Sequence, residues 1–343
     1  MSSINPPKKI PYVRLEWVLG EEEGIAHIKA AYDSGIQTFD TANVYSNGES
    51  ERILGKAIKQ LGLPRDEIVV MTKVYGIVKR EPSIPGPGPE ADAAGYVNQY
   101  GLSRKHIFES IKHSLERLEL DYVDVLQCHR FDYNTPIAET MQALHDVFKA
   151  GYARYIEMSS CHAYQFHAMQ NYAINNGLTP LVSMQNLYNL IYREEEREMM
   201  PTLKPIADVW YWNDPLVAAL ARRTESAVFS NKSPSINKPV RSKEDNKEVI
   251  LRLLLDLFIL YAHYTGLITI TSIEKIAKDR GINMAQVAIA WVLSKSDITA
   301  PIIGATSLER LKDTIGAIGV KLTNEEIKHL EKPYVAQPIQ GHS

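Results

Sequence analysis

Cysteine is scarce. The 343 residues hold two, Cys128 and Cys161, too few for a disulfide framework and without the CxxC spacing of a zinc site. No metal is expected, and so little cysteine fits a reducing compartment, with the cytoplasm the expected location. An excess of charge is lacking too: 38 Lys and Arg against 41 Asp and Glu leave a formal net charge of −3. No general attraction to nucleic acid or to an anionic membrane follows from that balance. The most apolar stretch, 249–273, is interrupted by Arg252, Asp256 and His263, which favours a buried helix over a membrane span. Residues 1–9 are polar, with no apolar core of a signal peptide. No GxGxxG follows a strand-like run, so the usual fingerprint of a Rossmann domain is missing.

What is present is an alternation. Hydrophobic content of 45% and charged content of 23% are ordinary for a globular chain able to bury a large core. Short β-rich runs at 36–41, 68–73, 122–129, 153–159, 181–185 and 300–304 alternate with segments of helical period. Ile53, Leu54, Ala57 and Ile58 recur on one helical face, as do Ile107, Ile111, Leu115 and Leu118 behind a Ser103 cap. Helices are also predicted at 20–34, 136–150, 163–176, 193–200, 273–280, 284–294 and 307–318. Strands alternating with helices imply a parallel sheet with right-handed crossovers. So many units in one chain favour a closed (β/α)8 TIM barrel, a single domain over 1–343. The Pro- and Gly-rich stretch 82–98 reads as a long loop on the face where such barrels carry their chemistry.

Four polar residues stand at or just beyond strand ends: Asp40, Tyr45, Lys73 and His129. Strand ends converge on one mouth in a barrel, so these residues would share a pocket. A carbonyl that accepts hydride also needs a proton at its oxygen. A tyrosine supplies it if its pKa is drawn down from about 10, and a nearby ammonium does that by favouring the phenolate. Tyr45 is the candidate general acid, Lys73 its modulator, Asp40 the partner of Lys73 and His129 the orienter of the carbonyl. Singly, each has a plainer role: an Asp caps a turn, a loop Tyr packs at the surface, a Lys is solvated, a His is structural.

Three segments carry a resemblance. FDTANVYSNGESERILGKAI (39–58), MTKV (71–74) and LQCHR (126–130) occur in order and after strands, and together they resemble the aldo-keto reductase signature. The long loop after Lys73 and REEEREM (193–199) resemble the branch holding fungal aryl-alcohol dehydrogenases and polyketide-pathway reductases. The resemblance implies a barrel, an extended NADP (NADPH) cofactor, and Asp40, Tyr45, Lys73 and His129 as the catalytic set. It also implies cofactor contacts. Asp40 is among them; Ser159, Ser160 and Gln185 meet the carboxamide. PIIGATSLERLKDTI (301–315) resembles the adenosine-phosphate segment, with Gly304 allowing close approach and Thr306 and Arg310 at the 2′-phosphate. Asp313 would meet the adenine, and the amides opening that helix form an anion site.

Two regions depart from the family. Only about 20 residues precede the first helix, so an incomplete first strand is expected: Tyr12 to Leu19 fill the gap only without the usual hairpin, and otherwise the barrel has an unpaired edge. The seventh βα unit is expected to be altered: in ADVWYWNDPLVAALARR (207–223), Trp212 and Pro215–Leu216 echo a pyrophosphate-binding tract, but Asp214 would repel it. The expected function is NADP(H)-dependent reduction of an aryl or polyketide-like aldehyde or ketone, with a small-molecule carbonyl substrate and the protein a monomer or weak homo-oligomer. The alternative is a non-catalytic or defective barrel that binds nucleotide without turnover.

Overall fold

A computed structural model describes residues 20–80, 86–204, 268–305 and 307–342, together with the strand backbone of 12–14 and 208–212. Eight parallel strands close into a barrel in chain order: β1 (Tyr12–Arg14), β2 (Thr38–Asp40), β3 (Val69–Val74), β4 (Val123–Cys128), β5 (Ala153–Ser159), β6 (Ser183–Leu187), β7 (Asp208–Trp212) and β8 (Ala300–Gly304).

Of the two alternatives for the first strand, the structure shows the one in which the 12–19 stretch supplies it, and the barrel closes. β1 has three residues, yet it pairs on both sides, Val13 with Phe39 and Tyr12 with Ile302. A run this short gives no period to read, but β2 is equally short, and three residues of register suffice to seal the seam. β7 likewise pairs with both neighbours, Gln185↔Trp210 and Trp212↔Ile302. Trp212 ends that strand, whereas Pro215 and Leu216, and with them Asp214, lie outside the described residues.

Alternation along the strands separates two layers. Phe39, Val70, Val74, Leu126, Cys128, Ile156, Met158, Met184 and Ile303 belong to the buried apolar layer between sheet and helices. Their neighbours in sequence, Asp40, Lys73, Gln127, Glu157, Ser159, Ser183 and Gln185, are equally buried and largely polar. These occupy the barrel interior.

The helices follow their apolar stripes. Glu49–Leu61 buries Leu54, Ala57 and Ile58 and stops at Gly62, whose φ of 60° is left-handed. Arg104–Leu118 starts on Ser103, whose hydroxyl accepts from the His106 amide at 3.3 Å, and buries Ile107, Ile111, Leu115 and Leu118. These two helices touch at Gly55, where a Cβ would stand 2.3 Å from the Leu118 carbonyl oxygen. Further helices are Glu21–Asp33, Ile137–Lys149, Ala163–Asn175, Met284–Leu293, Leu308–Gly316 and Asn324–Glu331. Helix continues through 268–280; the rest of the apolar stretch, 249–267, lies outside the described residues. The helix expected over 193–200 is a single 3-10 turn, Glu194–Glu196, followed by Met199–Leu203. The loop after β3 carries a short helix, Pro89–Ala93, and its own small core of Ile77, Ala91 and Tyr96.

Candidate active site

The signature segment after β2 mostly builds a mount for Tyr45. The chain leaves β2 at Asp40 and reaches Tyr45 at the start of a 3-10 turn. Ser46 and Asn47 then adopt left-handed φ of 47° and 56°, which costs an L-residue about 1–2 kcal/mol each. Asn47 meets that cost by pairing both ends of its amide with the backbone of Lys79, at 2.6 and 2.7 Å. Gly48, at φ 95°, passes so close to Arg117 that a Cβ would lie 2.9 Å from its Cδ. Ser50 shares a 2.6 Å hydrogen bond with Thr41, and Glu51 accepts from Arg117 at 2.6 Å and from Thr72 at 2.5 Å. Asn43 donates to the Gly76 carbonyl at 3.1 Å. The Tyr45 turn is thereby tied to the loop beyond β3.

Inside the mouth, Lys73 donates to both carboxylate oxygens of Asp40 at 2.6 Å and to the Thr41 carbonyl at 3.0 Å. Both side chains are fully buried. The Lys73 ammonium lies 5.2 Å from the centroid of the Tyr45 ring. Tyr45, itself buried, meets the His129 ring edge-on at 5.7 Å. The four residues expected at strand ends therefore converge.

Gln127 joins them, and sequence reading missed it. Its amide donates to Asp40 at 3.1 Å, and Gln185 donates to the same oxygen at 3.2 Å. The available signal was alternation: Val125, Gln127 and His129 share one face of β4, so a buried Gln two residues before the histidine belongs to the pocket. Glu157 was also passed over. It is paired in register with Gln127, and neither of its carboxyl oxygens finds a well-formed hydrogen bond. Burial pushes its carboxyl well above the usual range, and the negative charge of Asp40 acts in the same direction.

The residues expected at a cofactor are distributed unevenly. Ser159 and Gln185 are register partners and both are buried at the mouth. The Ser160 hydroxyl lies 3.4 Å from that of Ser159. Across the barrel, Gly304 ends β8 and Ser307 caps helix Leu308–Gly316, accepting from the Arg310 amide at 3.3 Å. The Arg310 and Asp313 side chains are exposed on that helix, and Thr306 lies outside the described residues. Hydroxyl and amide groups at one end, and a nine-residue helix opening at the other, fit the carboxamide and phosphate of a dinucleotide. Among the described residues no His, Cys, Asp and Glu cluster could hold a metal, and no helix is long and apolar enough to cross a membrane.

The aldo/keto reductase family model matches residues 14–334. An aldo-keto reductase of Fusarium vanettenii is 44% identical over 347 residues, covering 96% of this chain and 86% of the relative. Versiconal hemiacetal acetate reductase of Aspergillus parasiticus is 42% identical, covering 94% of this chain and 90% of that protein. A putative aryl-alcohol dehydrogenase of Schizosaccharomyces pombe is 40% identical, covering 95% and 96%.

Proposed function

The chain belongs to the aldo/keto reductase family, oxidoreductases that act on small-molecule carbonyls with NAD(P)H, and we propose that this member reduces an aryl or polyketide-like aldehyde or ketone with NADPH, using Tyr45 as proton donor. The observation that carries this reading is Lys73. One buried ammonium is held by Asp40 at 2.6 Å and lies 5.2 Å from the Tyr45 ring centroid. An ammonium so close stabilises phenolate over phenol, which makes Tyr45 a stronger acid. Asp40 keeps the ammonium charged and aimed. Tyr45 hands its proton to the substrate oxygen, and His129, against the Tyr45 ring, orients that oxygen. A nicotinamide held there would supply the hydride for the carbonyl carbon, leaving Tyr45 to provide the proton at the oxygen.

Ser159, Ser160 and Gln185 hold the carboxamide in this reading. The pyrophosphate falls to the segment of Trp212, Pro215 and Leu216. Gly304 allows the close backbone approach, Thr306 and Arg310 take the 2′-phosphate, which favours NADP over NAD, and Asp313 takes the adenine. The chain acts as one barrel domain over 1–343, a cytoplasmic monomer or weak homo-oligomer. NADPH fluorescence titration with turnover of an aromatic aldehyde is the test. Tyr45→Phe is expected to keep NADPH affinity and to lose about 10²–10⁴ in kcat. Wild-type turnover by Tyr45→Phe overturns the assignment, and binding without turnover by the wild type overturns the reductase reading.

A further inference from the structure

Ser160, just after β5, has a φ of 49°. It carries a Cβ and has no glycine's licence for that region, so the surroundings must hold it there. The holding group is Asn186. The Ser160 amide donates to Asn186 Oδ1 at 2.8 Å and also reaches the Gln185 carbonyl at 3.2 Å. Asn186 is buried on β6, next to Gln185 but on the opposite strand face. Its own amide nitrogen donates to Glu195 Oε2 at 2.5 Å. The other Glu195 oxygen lies 3.4 Å from Nε2 of His342.

His342 is the inner end of a long anchor. It is buried, and its ring meets His162 edge-on at 5.0 Å. The segment before it is fastened to the same loop. The Gln337 amide donates to Glu194 at 2.7 Å, the Gln340 amide to the Tyr192 hydroxyl at 2.9 Å, and the Arg193 amide to the Tyr334 hydroxyl at 2.9 Å. Arg130, beside His129, donates to the Gly341 carbonyl, and Tyr133 donates to the His342 carbonyl at 3.2 Å.

We propose that Asn186 and Glu195 are positioning residues for the nicotinamide end of the cofactor, and that residues 333–342 clamp this relay from outside. The proposal rests on the reading that Ser159 and Ser160 receive the carboxamide. If Ser160 leaves its left-handed backbone, its hydroxyl turns away from that of Ser159 and the receptor for the carboxamide is lost. Asparagine suits the relay because it must accept from an amide with one end and donate to a carboxyl with the other. A leucine of similar size does neither. An aspartate does both only while it and Glu195 share a proton.

Three variants and two readouts test this. Asn186→Leu is expected to weaken NADPH binding about tenfold, the scale of one hydrogen bond of about 1.4 kcal/mol, and to raise the KM for NADPH while that for the carbonyl stays within twofold. In the protein without cofactor, amide exchange over residues 158–161 should quicken at least tenfold. His342→Ala shifts both readouts the same way, to a smaller extent. Asn186→Asp should bind NADPH well at pH 5.5 and poorly at pH 8. The charged and titratable groups around that site are Glu194, Glu195, Tyr192, His342 and the buried Cys161 thiol, with Arg130 and His162 behind the histidine. Should Asn186→Leu not fold, Asn186→Asp at the two pH values carries the test. If the wild type binds NADPH and Asn186→Leu binds it equally well, or if exchange at 158–161 is unchanged, the positioning role is overturned. If the wild type binds no NADPH, the functional reading falls first.

Discussion

The ammonium of Lys73 stands 2.6 Å from both oxygens of the Asp40 carboxylate, and both side chains are sealed from solvent. Such a pair costs desolvation at both ends, and breaking it from one side strands a buried charge. Asp40→Asn and Lys73→Met are each expected to cost about 3–5 kcal/mol of stability. The double variant, which strands neither charge, should be more stable than either single one. All three should lose reduction. Denaturant unfolding of the four proteins checks the cycle, and additive losses would contradict a coupled pair.

Gly55 marks the tightest contact between the helices that carry Glu51 and Arg117, with Leu118 Oxygen at 2.3 Å from a hypothetical Cβ. Backbone cannot swing aside as a side chain does. Gly55→Ala should therefore destabilise the fold by about 1–3 kcal/mol, despite the better helix propensity of alanine. Because that helix follows the Tyr45 turn directly, kcat should also fall. A midpoint of denaturation equal to wild type would show that the helices part without cost.

Glu195 and His342 make opposite demands on pH. Burial pushes Glu195 up to about 7 and His342 down to about 4. A raised acid contributes stability below its ordinary value near 4.5, lost as pH rises to about 7. A depressed histidine favours the fold above its ordinary value near 6.5, and that contribution is lost as pH falls to about 4. The two slopes offset one another in the wild type. Glu195→Gln should therefore lose stability below pH 6, whereas His342→Ala should lose it between pH 5 and 7. Exchange over residues 333–342 as a function of pH reads the balance, and parallel curves for the two variants would refute it.

The Arg280–Glu326 pair is the counterpart at the surface. Two bonds of 2.6 Å join them, and Arg280 first of all holds the Glu326 carboxyl down at about 2. A depressed acid stabilises the fold above about 4.5 and stops doing so as pH falls to about 2. With both side chains partly exposed, the contribution is about 1 kcal/mol at neutral pH after solvent screening. Arg280→Ala should show that deficit at pH 7 and lose it by pH 2.5, as measured by urea midpoints.

The convergence of Asp40, Tyr45, Lys73 and His129 was legible because they stand at or just beyond strand ends, which a parallel barrel brings together, and because the segments around them resemble the family signature. The alternation itself exposed the fold. Gln127 was masked by its neighbours: a polar residue inside VDVLQC reads as an interruption until the strand's two faces are told apart. Asn186, Glu195 and His342 lie on β6, a loop and the C-terminal segment, with no spacing that links them, and only packing reveals the relay. The first strand was legible only as the 12–19 stretch that could fill the gap, without its bounds. Three residues cannot display a period, and their partners lie at Phe39 and Ile302.

That seam also sets an order of events at the ribosome. Tyr12 and Ile302, register partners, are 302 − 12 = 290 positions apart. At about 5–20 residues per second, β1 emerges roughly 15–60 s before the strand that must close on it. Until then the barrel is an open sheet with a bare edge on each side. A nascent chain in that state is a natural client for a chaperone, and slowing translation near the 3′ end of the message should lengthen its exposure.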